Sequence, residues 1–216
     1  MTAPRRAGTP LRRGRNATTP RRDSLLVFTE GRNTEVDYVV WWHRRHRDTI
    51  LVEIGDVHGD PLTLVDAAID RRRLESREEA KGRGSAHTEY WCVFDRDEHT
   101  TFDRAVQRAR QERINLAVSN PCIELWFVWH FQNQAAYIER GDAQRLSRKQ
   151  LGCDKTLTSS ALDLLAEPGR YDAARGRALR MDAKHDGDGS PVGSNPSSGV
   201  HTLVERIGRG AAAADS

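Results

Sequence analysis

The chain reads SLLVFTEG over residues 24–31 and YWCVFDRD over residues 90–97. Each stretch is an apolar run of strand length that ends abruptly in carboxylates, a pattern typical of interior strands of a parallel sheet. Ligands of such sheets bind where the strands end. Glu30, Asp95 and Asp97 would converge there, and their hard oxygen atoms suit Mg²⁺, with Mn²⁺ also possible. The sequence therefore predicts a metal site and favours metal-assisted phosphoryl transfer.

Strands and helices alternate along the first part of the chain. Strands are predicted at 24–29, 49–54, 89–94 and 115–118, and helices at about 34–47, 62–81, 102–113 and 121–131. Asn120 would cap the last of these helices, with Pro121 at its first position. The alternation predicts an α/β domain with a TOPRIM-like, mostly parallel four-stranded sheet flanked by helices, over residues 23–135.

Only helical segments are predicted after residue 135. They lie near 143–151, 156–166, 170–184 and 200–208, with a flexible break at 186–198 that is rich in Gly, Ser, Asp and Pro. We therefore expect a helical C-terminal extension over residues 136–209 and a disordered tail over 210–216.

Positive charge is concentrated at the start of the chain. The net charge is +3, yet residues 1–22 contain no acid and seven arginines: Arg5, Arg6, Arg12, Arg13, Arg15, Arg21 and Arg22. Residues 23–216 therefore carry a net charge of −4. We expect residues 1–22 to form a disordered basic arm that holds nucleic-acid phosphates electrostatically, without reading sequence. A solubilising leader or an over-called start site explains the arm equally well.

Cysteine content, hydropathy and missing motifs argue against several classes of protein. Cys92, Cys122 and Cys153 have no metal-ligand spacing, and their odd number argues against a disulfide framework. We therefore expect the protein to be located in the reducing environment of the cytoplasm. No apolar stretch approaches the length of a membrane span, so no membrane partner is expected. The absence of a Walker A motif excludes a standard ATP-hydrolysing core, and no serine lies in a nucleophile elbow.

The acids at the strand ends are the first candidate catalytic residues. Glu30 could be a metal ligand or a general acid/base for the leaving oxygen, and Gly31 would allow a sharp turn after it. Asp95 and Asp97 are alternate residues, so both carboxylates could reach one ion. A solvated turn or a helix cap is the structural alternative for the Asp-x-Asp pair.

Four more side chains are candidates for the same site. Glu124 lies among strongly apolar residues, where an unpaired carboxylate would be costly, so we count it as catalytic; an acid favoured by the helix dipole is the alternative. Glu35 is a possible accessory residue, although an acid near a helix N-terminus is also favourable by itself. Arg32 and Lys155 could contact phosphate or could be ordinary surface cations.

The order of the motifs resembles one known family. Phe28-Thr29-Glu30-Gly31, Thr34-Glu35, Phe94-Asp95-x-Asp97, Ser119-Asn120-Pro121-Cys122-x-Glu124-Leu125-Trp126, His130-Phe131 and Asn195-Pro196-Ser197-Ser198 follow one another as in RloB-like proteins. The resemblance runs from about residue 24 to residue 208, and the Ser-Asn-Pro-x-x-Glu-x-Trp segment is its most specific part. The last motif departs from the family, which has threonine where this chain has Ser198.

This resemblance implies a function. RloB-like proteins are associated with bacterial restriction and abortive-infection loci, often beside an ATPase gene. The two acidic strand ends are also similar to the TOPRIM arrangement, which implies acid/base or ligand chemistry for Glu30 and Mg²⁺ binding for Asp95 and Asp97. A topoisomerase tyrosine and a primase zinc module are absent. We expect a Mg²⁺-dependent nuclease of anti-phage defence, controlled by a partner ATPase. A non-catalytic subunit that binds nucleic acid or the ATPase is the alternative, and nucleotidyl transfer by the same site is a weaker one.

Overall fold

The computed structural model describes residues 22–96 and 100–209. Within these ranges the chain forms five strands: β1 (Asp23–Thr29), β2 (Ile50–Ile54), β3 (Glu89–Asp95), β4 (Asn115–Asn120) and β5 (Ser197–Ser198). The helices are α1 (Thr34–His46), α2 (Pro61–Ala80), α3 (Phe102–Glu112), α4 (Glu124–Phe131), α5 (Arg140–Leu151), α6 (Ser159–Leu165), α7 (Arg170–Gly187) and α8 (Val200–Arg209).

The strands form one sheet in the order β2-β1-β3-β4-β5. β1 to β4 are parallel, and β5 pairs antiparallel with β4. The chain passes from β1 to β2 on one side and then returns to β3 on the other side of β1. The gap between the ends of β1 and β3 is therefore a topological switch point, the usual ligand position in open α/β sheets.

Alternation of side chains along the strands builds a layer on each face of the sheet. Leu26 and Phe28 of β1 pack with α2 and α3, whereas Leu25 and Val27 pack with α1 and α8. A third core joins α4 to α7 and contains the fully buried Trp126. These layers fix the positions of the carboxyl ends of β1 and β3 and of α4, which contacts β4 and β5.

The predicted α/β class, with a mostly parallel sheet and flanking helices, is confirmed, but two details are wrong. The sheet has five strands rather than four, because Ser197–Ser198 within the predicted flexible break form β5. The prediction of only helices after residue 135 fails at the same place. A strand of two serines has no apolar run by which the sequence could predict it. It forms because the backbone of these residues pairs with the edge of β4. The division of the chain at residue 135 stays a prediction.

The predicted start of the helix after β4 is also wrong. α4 begins at Glu124 rather than Pro121, and the Asn120–Pro121 peptide is cis. Asn120 does not cap the helix because its side chain is bound elsewhere. Its Nδ2 donates to Gly193 O at 2.5 Å, and its Oδ1 accepts from Asn195 Nδ2 at 3.0 Å.

In the part of the chain that the structure describes, no helix combines the length and the apolar character needed to cross a bilayer.

Candidate active site

Adjacent parallel strands bring the two predicted acidic ends together. Phe28 and Thr29 of β1 lie beside Cys92 and Val93 of β3, so Glu30 follows β1 at the level of the end of β3. The backbone N–H of Asp95 donates to Glu30 Oε2 at 2.9 Å. The Glu30 carboxylate is thereby fixed against the backbone that carries the Asp95 carboxylate.

A cavity of about 300 Å³ opens at this point, and the candidate acids surround it. Its lining includes the predicted residues Glu30, Arg32, Glu35, Asp95, Glu124 and Lys155. Ile123, Arg140 and Gln144 from α5 and the start of α4 complete one side. The cavity thus gathers side chains from β1, α1, β3, α4, α5 and the loop after α5, which are far apart in sequence.

Glu35 reaches the cavity because residue 31 has no side chain. A Cβ built on Gly31 would lie 2.5 Å from Glu35 Oε2 and 3.1 Å from its Cδ. Glu35 is nearly buried, with 8% of its surface exposed. A glycine at position 31 therefore leaves room for the Glu35 carboxylate beside Glu30.

Arg140 is the charged cavity residue that the sequence interpretation missed. It is the first residue of α5, and its Nη2 lies 3.2 Å from Asp95 Oδ2. No motif surrounds it in the sequence, because it follows the coil 133–139 and begins a helix whose residues are mostly polar. The packing of α5 against α4 helps to bring this arginine to β3.

Mutual repulsion and burial govern the acids of the cavity. Burial raises the pKa of Asp95 well above its usual value; Arg140 opposes the shift, while Glu30, Glu35 and Glu124 add to it. The pKa of Glu35 is also raised, mainly by burial and further by Glu124 and Glu30, against hydrogen bonds from the backbone of residues 31 and 35. Such a cluster is stabilised by a cation, because like charges in one site cannot all ionise at low cost.

The loop after α5 supplies the cationic side of the cavity. Thr34 Oγ1 donates to Lys155 O at 2.6 Å, and Leu157 N donates to Asp37 Oδ2 at 3.2 Å. These two bonds tie residues 155–157 to the first turns of α1. Lys155 is therefore held at the rim, where an ammonium group could reach an anion bound in the cavity.

The donor chemistry of this lining fits a hard divalent cation. Carboxylates are the protein ligands that Mg²⁺ and Mn²⁺ prefer. Within residues 22–96 and 100–209, no group of three or more His, Cys, Asp or Glu side chains is arranged to hold a metal ion. The described residues thus offer carboxylates for an ion without forming a ready three-ligand centre. Asp97, predicted as the third ligand, lies outside them.

Other predicted residues lie apart from the cavity or outside the described ranges. Of the arginines in the predicted arm, Arg22 is described and is exposed, and Arg5, Arg6, Arg12, Arg13, Arg15 and Arg21 lie outside the described residues. The three cysteines are free, with Cys92 and Cys122 buried. The predicted roles of the site residues stay predictions, whereas their proximity is a property of the fold.

The two Asn-Pro motifs of the sequence lie side by side next to the cavity. β5 pairs Ser197 with Asn120 and Ser198 with Ser119, whose hydroxyls are 3.0 Å apart. Asn195 accepts from Ile138 N at 3.0 Å and donates to Ile138 O at 2.9 Å. These motifs therefore lock β4, β5 and the approach to α5 together, which fixes the position of Arg140.

Comparison with known protein families gives a match over most of the chain. The model of the RloB-like protein family matches residues 25–207, most of the chain. No curated protein and no solved structure gives a significant match.

Proposed function

The chain belongs to the RloB-like protein family, and from this premise and its acidic cavity we propose that it is a divalent-metal-dependent nuclease with a TOPRIM-like core. The proposed reaction is hydrolysis of a phosphodiester bond in DNA or RNA. The observation that carries it is the convergence of Glu30, Glu35, Asp95 and Glu124 at the switch point of the sheet, with Arg32, Arg140 and Lys155 around them.

This mixture of charges suits a phosphodiester substrate. Arginine and lysine bind the phosphate oxygens, and arginine can do so through two parallel hydrogen bonds. Arg140 forms an ion pair with Asp95. When a metal ion binds Asp95 in place of Arg140, the guanidinium can bind a phosphate oxygen. A purely structural acidic cluster would not need three cations arranged around an open cavity.

The acids would share three tasks in the proposed reaction: holding the ion, transferring a proton and attracting the ion to the cavity. Asp95, Glu30 and Asp97 would hold Mg²⁺, which supplies charge stabilisation and polarises the phosphate when bound. Glu30, which accepts a hydrogen bond from the Asp95 N–H, would also take a proton from the attacking water or give one to the leaving oxygen. Glu35 and Glu124 complete the negative field that draws the cation into the cavity.

Cleavage by isosteric variants tests the proposal. Plasmid DNA, single-stranded DNA and total RNA are incubated with Mg²⁺, Mn²⁺ or EDTA. Asp95→Asn and Glu30→Gln should lower the cleavage rate by at least about 100-fold, the scale of losing a positioned charged group in an active site. Asp163→Asn, an exposed acid of α6 far from the cavity in sequence, is the matched control. Equal cleavage by all three variants would refute the assignment.

A binding role without catalysis is the second candidate. The ion pair between Arg140 and Asp95 and the lack of three preformed metal ligands among the described residues favour it. Titration calorimetry with Mn²⁺ separates the two functions. A nuclease must bind the ion at the cavity and lose binding in Asp95→Asn, whereas a binding subunit could engage nucleic acid equally well in EDTA.

We also propose the biological setting that the family resemblance implies. The nuclease would act in bacterial anti-phage or abortive-infection defence, under the control of a partner ATPase. Co-expression with an ATPase from the same locus, followed by the cleavage assay, tests this part. Cleavage that appears only with the ATPase and ATP would support it, and unchanged cleavage would contradict it.

A further inference from the structure

A second cavity lies next to the acidic one and shares Arg140 with it. Its volume is about 480 Å³, within the range of small-molecule sites. Arg96, Phe102, Asp103, Tyr137 and Glu139 line it together with Arg140. Asp103 and Glu139 add two carboxylates to this second cavity. A ligand that fills this cavity would contact Arg140, which also lines the acidic cavity.

Tyr137 presents a large aromatic ring at this cavity from a fixed loop. Its exposed fraction is 67%, which is unusual for an aromatic residue. The loop is nevertheless well held: Asn195 bonds both backbone groups of Ile138, and Trp129 Nε1 donates to Gln134 O at 3.0 Å. An exposed ring on an anchored backbone loses little entropy when a flat ligand stacks on it.

Two arginines give the same cavity affinity for phosphate. The Arg96 guanidinium lies 4.9 Å from the ring centroid of Phe102, and its Nη1 donates to Val192 O at 2.7 Å. These contacts fix its position and use one of the five N–H donors of the group. Arg140 lies at the border of the two cavities. Phosphates on either side of a nucleotide could therefore be bound, one by each arginine.

We propose that the second cavity binds one unstacked nucleotide beside the phosphate that is cleaved, so that the substrate is single-stranded or locally unpaired nucleic acid. Its base would stack on Tyr137, and Asp103 and Glu139 would accept hydrogen bonds from its amino groups. In an intact duplex the base faces are covered by neighbours, so a ring in a cavity cannot reach them. This inference rests on the proposed function, since it defines the substrate of the same site.

Binding without cleavage tests the inference directly. Fluorescein-labelled 12-nucleotide single strands and duplexes are titrated by anisotropy in EDTA at about 200 mM salt, which suppresses non-specific phosphate binding. Tyr137→Ala should weaken single-strand binding roughly 5- to 150-fold, the value of one base stacked on an aromatic ring. Tyr137→Phe keeps the ring and should bind as the wild type. Arg140→Ala should also weaken binding, whereas Arg110→Ala, an exposed arginine of α3, should not.

An abasic scan of the oligonucleotide sharpens the result. Removing the stacked base should weaken wild-type binding by about as much as Tyr137→Ala does, and the two losses should not add. Unchanged binding by Tyr137→Ala, or equal wild-type affinity for duplex and single strand, would overturn the inference. This binding assay does not measure cleavage. If the protein cleaves nothing but Tyr137→Ala still weakens single-strand binding, the proposed nuclease activity is refuted and the proposed nucleotide site is not.

Discussion

Gly31→Ala is the sharpest test of the acidic cavity, because it moves one carboxylate without changing any charge. The new Cβ would lie 2.5 Å from Glu35 Oε2, and ordinary contact begins at 3.4 Å, so the carboxylate must retreat by about 0.9 Å. Gly31 is not in the left-handed backbone region, and the three atoms nearest to the new methyl group all belong to the Glu35 side chain. The clash is thus with the end of a side chain that can move, and folding should be retained. A displacement of about 1 Å at a reacting centre can cost on the order of 100-fold in rate.

We expect the cleavage rate of Gly31→Ala to fall about 100-fold, with a thermal unfolding midpoint close to that of the wild type. Single-turnover cleavage with Mg²⁺ and a circular-dichroism melt provide the two measurements. Gly176→Ala, in the middle of α7, is the matched glycine control and should cleave normally. Glu35→Gln keeps the shape and should be impaired as well. Wild-type cleavage by Gly31→Ala would show that the position of Glu35 does not matter to the site.

Three further predictions concern the scaffold of the site. Asn195→Ala removes the bonds to Ile138 and to Asn120, and denaturant titration should show a loss of about 1–3 kcal/mol; an unchanged midpoint would contradict this. Gly55→Ala drives a methyl group into the buried ring of Phe28 and should also cost about 1–3 kcal/mol, measured in the same way. Burial lowers the pKa of His130 from 6.5 to about 4. The folded protein therefore favours neutral His130, whereas the unfolded chain binds a proton below pH 6.5. The free energy of unfolding should fall by about 3 kcal/mol as the pH falls from 6.5 towards 4. His130→Phe should remove that part of the acid sensitivity of unfolding.

The sequence by itself was sufficient for the class of fold and for the position of most helices and strands. The reason is local: apolar runs that end in acids, and helices with an apolar side, carry their structure in the order of their own residues. The same property made Glu30 and Asp95 recognisable as strand-end acids, and the order of motifs led to the RloB-like family, which the family match confirms.

Tertiary structure alone decided the rest. β5 has two serines and no periodic pattern, and it forms because the edge of β4 and the bonds of Asn195 select it. Arg140 carries no signal in its neighbourhood, and the packing of α5 against α4 helps to place it 3.2 Å from Asp95. The use of Gly31 as room for Glu35, and the second cavity beside Tyr137, are also relations between distant segments. Pairings of this kind depend on which surfaces meet after folding, a property that no single stretch of the chain contains.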